Sequence, residues 1–207
     1  MMTSPRVAIV TGATQAMGEA IATQLAVDGW RIVGVGRGRD RGEAVVGRLQ
    51  AAGFEARFVA ADLSTEPPVA AVVEETVSSY GRVDLVVNNA AALDAGSGEA
   101  PAHQEPTEVF DLIVKVGLYA PFWFTKYAVP HMISQGDGGG FVNISSYAGS
   151  LGVAGLPAYS ASKGGLEALT RQVAAEYAHA GIRANTVVLG SIRVPRNARM
   201  HEDEEAS

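Results

Sequence analysis

Short apolar runs alternate with longer amphipathic segments along most of the chain. The short runs are rich in Val, Ile and other strand-forming residues, whereas the segments between them repeat apolar residues three or four positions apart, as helices do. The run at 83–88 is nearly unbroken, which is typical of a central parallel strand buried on both faces. The predicted strands cover residues 6–11, 31–35, 55–60, 83–88, 141–146 and 182–189.

Helices are predicted between these strands, so the order of elements is that of an α/β protein. The chain shows no internal repeat beyond this alternation and no linker between domains. We expect a loop at 93–106 and a flexible hinge at 136–140, where glycine and small residues accumulate. The predicted helices cover residues 17–28, 45–53, 67–79, 107–134 and 157–180.

The composition is that of one globular domain. Of the 207 residues, 47% are apolar and 18% are charged. The formal net charge of −6 and the pI near 5.2 argue against a nucleic-acid or anionic-membrane surface, because both need clustered basic charge. We assign residues 1–195 to a single domain and 196–207 to a charged, disordered tail.

Cysteine is absent, which excludes disulfides, thiolate metal ligands and a cysteine nucleophile. The four histidines share no metal-ligand spacing, so no metal site is predicted. The N-terminus lacks the apolar core of a signal peptide, and no apolar run is long enough to cross a membrane. These features predict a cytoplasmic protein without a membrane partner.

Tyr159 and Lys163 lie four residues apart on a predicted helix, so they share one face. A tyrosine with its reference pKa of about 10 exchanges protons poorly at neutral pH, but a nearby ammonium favours the phenolate and lowers that pKa. Ser146 ends the preceding strand and can hydrogen-bond a substrate oxygen as charge develops on it. The three residues predict proton transfer. The alternative is an exposed lysine beside a half-buried tyrosine, without a catalytic role.

Gly12 and Gly18 lie between the first strand and the first helix, where backbone N–H groups and a helix N-terminus can face a phosphate. In dinucleotide-binding units an acidic residue at the end of the second strand normally binds the ribose hydroxyls, but this chain has Gly36 there, with Arg37 next to it. A guanidinium can bind a 2′-phosphate that an acid would repel, which favours NADP over NAD. The alternative is that Arg37, Arg39 and Arg41 form a solvated basic loop.

Short motifs recur at the ends and starts of the predicted strands. They are Thr11-Gly12 with Gly18, Asp62-Leu63, the asparagine motif Asn88-Asn89-Ala90, Asn143-Ile144-Ser145-Ser146, Tyr159 with Lys163, and Ile182-Arg183-Ala184-Asn185. Taken in order, these motifs resemble the short-chain dehydrogenase/reductase family over residues 6–195. A longer-chain, epimerase-like branch shares the Tyr and Lys pair, and the glycine turn does not separate the two branches. The asparagine motif, the spacing from Ser146 to Tyr159 and the short chain favour the short-chain branch.

The resemblance implies a doubly wound, Rossmann-type parallel sheet in strand order 3-2-1-4-5-6 and hydride transfer between a nicotinamide and a small-molecule carbonyl or secondary alcohol. It implies that Tyr159 is the general acid/base, that Lys163 lowers its pKa and holds the nicotinamide ribose, and that Ser146 orients the substrate oxygen. The implied cofactor-binding residues are Gly12, Thr14, Gln15, Met17, Gly18, Arg37, Asp62, Leu63, Asn89, Ala90, Ile144, Tyr159, Lys163, Gly190 and Ile192.

The predicted helix at 107–134 carries more apolar surface than one core-facing stripe requires. Members of the family commonly pair this helix and the Tyr159 helix across a two-fold axis, so the resemblance implies a homodimer through 107–134 and 157–180. The alternative is that these side chains all lie in the core. The apolar band consists of Leu118, Tyr119, Phe122, Trp123 and Phe124.

Some positions depart from the family pattern. Ala16 replaces a glycine that lets the backbone approach the pyrophosphate, so we expect weaker or slightly displaced cofactor binding. Gly117 replaces an asparagine that helps to hold a water beside the lysine in the family, and a glycine there would leave room for a further water. Residues 191–207 are not expected to supply the family's covering helix and seventh strand, which would leave the sixth strand at a sheet edge and the site open.

Two functions remain open at this point. The first is an NADP-dependent oxidoreductase, a ketoreductase in particular, that uses Ser146, Tyr159 and Lys163. The alternative is a relative that binds the cofactor, is catalytically weak or inactive, and acts through oligomerisation. Turnover of a ketone would separate the two.

Overall fold

The computed structural model describes residues 5–92 and 100–192. The strands in these ranges are β1 (Val7–Thr11), β2 (Arg31–Gly36), β3 (Ala56–Ala60), β4 (Leu85–Asn88), β5 (Gly139–Ser146) and β6 (Ile182–Leu189). They form one parallel sheet in the order β3-β2-β1-β4-β5-β6, which confirms the predicted Rossmann-type order. The chain order reverses between β1 and β4, and sheets of this kind bind ligands beside that point, at the carboxyl ends of the strands.

Helices cover both faces of the sheet. They are α1 (Ala16–Val27), α2 (Arg39–Ala51), α3 (Glu66–Tyr80), α4 (Thr107–Val114), α5 (Ala120–Gln135) and α6 (Pro157–Tyr177). Val7 and Ile9 of β1 belong to the core under α3, α5 and α6, whereas Ala8 and Val10 belong to the core under α1 and α2. Successive residues of a strand face opposite sides of the sheet, so a central strand covered on both faces must be apolar throughout.

The helix predicted at 107–134 is interrupted in the structure. A π-helical turn, Lys115–Tyr119, separates α4 from α5. Such turns add a residue to the helical repeat and are frequent at functional sites. The family's asparagine position, Gly117, lies in the middle of this turn, so the interruption changes which side of the helix Gly117 faces.

The predicted hinge at 136–140 is wrong in its second half. Gly139 and Gly140 begin β5 and are paired with Ile182 and Arg183 of β6. Gly136, with a φ of +78°, ends α5 in the left-handed region, where glycine carries no steric penalty. Residues 93–99 of the predicted loop, and the predicted tail at 196–207, lie outside the described residues.

Some features are absent from the part of the chain that the structure describes. Within 5–92 and 100–192 no strand pairs with the outer side of β6, so β6 forms a sheet edge. No helix in those ranges combines the length and the apolar character needed to span a membrane. The same residues contain no group of three or more His, Asp or Glu side chains placed to hold a metal ion.

Candidate active site

A cavity of about 400 Å³ lies at the carboxyl ends of the strands, beside the point where the chain order reverses. The carboxyl ends of the strands or the residues that follow them, together with residues of α1, α2, α4 and α6, form its walls. The predicted catalytic and cofactor-binding residues all line this one cavity, and their roles stay predictions. They are Gly12, Thr14, Gln15, Met17, Gly18, Arg37, Asp62, Leu63, Asn89, Ala90, Ile144, Ser146, Tyr159, Lys163, Gly190 and Ile192.

The turn after β1 is shaped by two glycines and attached to the end of β4. Gly12 has a φ of +68°, and a Cβ on Gly18 would overlap the Gly12 carbonyl oxygen. The Asn89 side-chain Nδ2 donates to the Thr11 carbonyl oxygen at 2.9 Å, and the Asn89 backbone N–H donates to the Thr11 hydroxyl at 2.9 Å. Close packing within the turn and against the end of β4 therefore requires both glycines, and the turn lines the cavity where a pyrophosphate would fit.

Ala16, at the start of α1, is the one non-glycine residue with a positive φ within 5–92 and 100–192. Its φ is +48°, in the left-handed region, where a Cβ costs about 1–2 kcal/mol. The family pattern has glycine at this position. The backbone at Ala16 is therefore strained, and its methyl group occupies space that a glycine would leave open.

We expect Ala16→Gly to leave the free energy of unfolding unchanged or to raise it by up to about 1 kcal/mol, because relief of the left-handed strain offsets the extra backbone entropy of glycine. Ala20→Gly is the matched control, since Ala20 is an exposed residue inside the same helix. There the same exchange should cost about 1 kcal/mol. Urea unfolding measures both, and equal destabilisation of the two variants would contradict the strain at Ala16.

Two arginines line the end of the cavity nearest β2. Arg37 follows β2 and Arg41 comes from the first turn of α2. A Cβ on Gly38 would lie 3.1 Å from Nε and Nη2 of Arg41, so the guanidinium occupies space that a side chain at position 38 would need. Within the described residues neither arginine forms an ion pair, whereas Arg39 pairs with Glu43 at 3.7 Å and does not line the cavity. All three arginines are exposed, and it is the place of Arg37 and Arg41 on the cavity wall that separates them from Arg39.

Asp62 is the acidic residue on this part of the wall. The Ser64 backbone N–H donates to its carboxylate at 3.0 Å and lowers the pKa of Asp62, and the positive charge of Arg37 lowers it as well. At Gly36 a side chain would meet Thr14, because a Cβ there would lie 2.8 Å from Thr14 Cγ2. An acidic residue at the end of β2 would need that space, so the local packing also disfavours it.

Ser146, Tyr159 and Lys163 lie at the other end of the cavity, where β5 leads into α6. Lys163 is 3% exposed, and its Nζ donates to the Ile144 carbonyl oxygen at 2.6 Å. The same Nζ lies 5.5 Å from the centroid of the Tyr159 ring, and burial lowers the pKa of Lys163 to about 8. The Ser146 hydroxyl accepts a hydrogen bond from the Ala148 N–H at 3.3 Å. A phenol therefore stands beside a buried ammonium that is still mostly protonated at pH 7.

Gly117 packs against α6. A Cβ on Gly117 would lie 2.8 Å from the Ser162 hydroxyl oxygen and 3.0 Å from the Ser162 Cβ, closer than side chains normally approach. The Ser162 hydroxyl donates to the Tyr159 carbonyl oxygen at 2.8 Å. The expectation of room for a further water is wrong on this side, because the Ser162 side chain fills the space.

Sequence reasoning missed part of the wall. The sequence places Arg41 only in a solvated loop, although it lies four residues after Arg37. The apolar residues were missed because the loop at 91–92 has no periodicity and because the π turn shifts the facing side of the helix. Leu112 and Val116, four residues apart, carry the one available signal, a shared helical face. The missed wall residues include Arg41, Ala91, Ala92, Leu112, Val116, Ser145 and Ser191.

Comparison with known proteins identifies the family. The family model described as short chain dehydrogenase matches residues 6–205. The chain therefore belongs to the short-chain dehydrogenase/reductase family, and it is an oxidoreductase by that membership. The fold, the glycine turn and the Tyr and Lys pair on α6 agree with this assignment.

Characterised relatives and solved structures extend the comparison. A 3beta-hydroxysteroid dehydrogenase of Mediterraneibacter gnavus is 34% identical over 96% of this chain and 70% of its own length. A metagenomic short-chain oxidoreductase in complex with NADP superposes with a TM-score of 0.85 at 36% identity, covering 93% of this chain and 86% of that one. An NAD⁺-bound xylitol dehydrogenase gives a TM-score of 0.88 at 29% identity, with coverages of 100% and 78%. Nicotinamide cofactors of both kinds thus occur on this fold.

Proposed function

We propose that this protein is an NADP-dependent ketoreductase in which Tyr159 is the general acid/base. The observation that carries the proposal is one cavity with a cationic wall beside β2 and a phenol and ammonium pair beside β5. The strand order separates these two ends by the width of β1 and β4, and the glycine turn lies between them. A molecule with a phosphorylated adenosine at one end and a reacting ring at the other fits this distribution of charge.

A bound nicotinamide cofactor would supply or accept the hydride, and the residues of the chain manage the proton. The Ser146 hydroxyl would hold the substrate oxygen, and the Tyr159 hydroxyl would give its proton to that oxygen as it gains negative charge. The Lys163 ammonium would stabilise the resulting phenolate, because it lies on the same side of α6. In alcohol oxidation the same groups would act in reverse.

The preference for NADP rests on Arg37 and Arg41. Both line the cavity without an ion-pair partner among the described residues, and guanidinium groups bind phosphate in a bidentate geometry. Asp62 keeps its negative charge beside Arg37, so that Arg41 is the less compensated of the two cations. We therefore include Arg41, as well as Arg37, in the proposed 2′-phosphate site.

The direct test is turnover. NADPH absorbance would be followed with simple ketones, cyclohexanone and a 3-ketosteroid, the last because of the steroid dehydrogenase among the relatives. The proposal expects NADPH consumption that depends on a ketone, and slower consumption of NADH. No turnover with any ketone, while NADPH still binds, would favour the catalytically weak relative, for which the substitution at Gly117 is the supporting observation.

Arg37→Gln and Arg41→Gln are each expected to raise the Kd for NADPH by about 10- to 100-fold, because each removes a charge-assisted hydrogen bond to phosphate. The Kd for NADH should change by less than about threefold. Arg39→Gln is the matched control, since it removes an equal charge from the neighbouring exposed surface. Titration of NADPH fluorescence measures the three variants. An NADPH affinity that is insensitive to both Arg37 and Arg41 would remove the basis for NADP.

We propose a cytoplasmic location, in keeping with the cysteine-free composition.

We further propose a homodimer through the helices at 107–134 and 157–180. Tyr119 is 48% exposed and Phe122 is 45% exposed, and the Tyr119 ring stacks on Trp123 with centroids 5.7 Å apart. Phe124 is fully buried. The apolar band is therefore divided between core and surface, and its exposed part suits a partner copy. A monomeric mass in light scattering at micromolar concentration would count against the dimer.

A further inference from the structure

Glu167 extends the catalytic face of α6 by one turn. Tyr159, Lys163 and Glu167 follow one another at intervals of four residues, so their side chains leave the helix on the same side. The Glu167 Oε1 accepts a hydrogen bond from the Ser145 hydroxyl at 2.7 Å, and its Oε2 accepts one from the Ser150 hydroxyl at 3.2 Å. One carboxylate thus joins α6 to two points of the connection that leads from β5 to α6.

This connection begins with Ser146 and lies beside the backbone of Lys163. Ser145 is 1% exposed, immediately precedes Ser146 and lines the cavity. Its hydroxyl also lies 3.5 Å from the Lys163 carbonyl oxygen. The position of Ser145 relative to α6 therefore sets the position of Ser146 relative to Lys163.

Gly149 shows how closely the connection is pressed onto the helix. A Cβ on Gly149 would lie 2.8 Å from Glu167 Oε1 and 2.9 Å from the carbonyl carbon of Lys163. No side chain fits between the short 3₁₀ turn Tyr147–Gly149 and the backbone of α6. The turn therefore lies directly against the backbone of α6 at Lys163, and Glu167 holds it there through Ser150.

We propose that Glu167 is a positioning residue for the reaction, which clamps Ser145 and Ser150 to α6 and so holds Ser146 and Lys163 in their working geometry. The inference rests on the proposed function, because the geometry matters only if these groups react. Glu167 forms no ion pair within 5–92 and 100–192. Its carboxylate therefore acts as a double hydrogen-bond acceptor rather than as a countercharge.

The kinetic test compares Glu167→Ala with Glu167→Gln and with Glu176→Ala. Glu176 lies on the exposed side of the same helix, where it accepts a hydrogen bond from Gln172, and it serves as the control for loss of a surface carboxylate. We expect Glu167→Ala to lower kcat by about 10- to 100-fold, because small displacements of reacting groups are costly. KM and the Kd for NADPH should stay within about threefold. Glu167→Gln keeps an acceptor for Ser145 and should retain most of the activity.

Ser145→Ala tests the same hydrogen bond from its other partner, and it replaces Glu167→Ala if that variant does not fold. It removes the hydroxyl that Glu167 holds, and it should lower kcat as Glu167→Ala does. The double variant should be no slower than the slower single variant, because both substitutions break one contact. Additive effects of the two substitutions, or a Glu167→Gln variant as slow as Glu167→Ala, would overturn the clamp.

A readout without turnover separates this inference from the proposed function. Lys163 has a pKa lowered to about 8 by burial, and this pKa can be followed by NMR of isotope-labelled lysine in the protein without cofactor. If Glu167 holds β5 against α6, Glu167→Ala loosens the contact between the Lys163 Nζ and the Ile144 carbonyl, lets more water reach the ammonium, and raises the pKa of Lys163 towards the ordinary lysine value of about 10.4. Glu176→Ala should leave the pKa of Lys163 unchanged. An unchanged pKa together with unchanged kcat would overturn the proposal, whereas a raised pKa in a protein without ketoreductase activity would refute the function and keep the clamp.

Discussion

Replacing Tyr159 by phenylalanine is expected to lower kcat for ketone reduction by about 10²- to 10⁴-fold, which is the usual contribution of a positioned acid/base. The substitution removes one hydroxyl and keeps the ring, which packs against the buried cluster of Ala92, Ile113 and Ala158. Binding of NADPH should therefore persist. The measurement is steady-state NADPH oxidation with the best ketone of the panel, together with a fluorescence titration of NADPH.

Tyr147→Phe is the matched control for this substitution. Tyr147 belongs to the same connection between β5 and α6, but it is 41% exposed and does not line the cavity. Its hydroxyl should be dispensable for turnover. If Tyr159→Phe and Tyr147→Phe both react at the rate of the unaltered enzyme, Tyr159 is not the acid/base. If the unaltered enzyme and Tyr159→Phe are equally slow while both bind NADPH, the catalytically weak alternative is correct.

The fold could be predicted because the apolar patterns that determine it lie within short segments of the sequence. Val7 and Ile9 face one core and Ala8 and Val10 the other, so a strand with helices on both sides leaves a continuous apolar run in the sequence. The hinge at 136–140 was mispredicted for the opposite reason. Gly139 and Gly140 resemble loop residues, and pairing with β6, and of Gly140 also with β4, holds them in a strand.

The candidate site could be predicted where a backbone requirement or a fixed spacing marks it. Gly18 has no room for a side chain, and the four-residue spacing of Tyr159 and Lys163 places them on one face of a helix. Arg41 carried no such mark, because its place on the cavity wall depends on where α2 begins and on the absence of a side chain at Gly38. The contact of Gly117 with Ser162 was equally hidden, since it depends on the π turn.

Lys163 should make the stability of the cofactor-free protein depend on pH. Burial lowers the pKa of Lys163 to about 8 in the folded protein, against about 10.4 for a lysine in an unfolded chain. Below pH 8 both states hold the proton, and the folded state bears the full cost of a buried ammonium. Between about pH 8 and pH 10 the unfolded chain binds a proton that the folded protein has released, so the free energy of unfolding rises with pH.

Lys163→Met isolates this contribution, because methionine keeps an unbranched side chain and cannot titrate. The difference in unfolding free energy, unaltered protein minus Lys163→Met, should become more favourable to the unaltered protein by about 3 kcal/mol between pH 7 and pH 10.5. Lys115→Met is the control: the Lys115 side chain is 45% exposed, so its ammonium stays hydrated in both states. Urea unfolding at a series of pH values gives both differences. A Lys163→Met difference that is constant with pH would mean that the Lys163 ammonium is hydrated in the folded protein, and that burial does not lower its pKa.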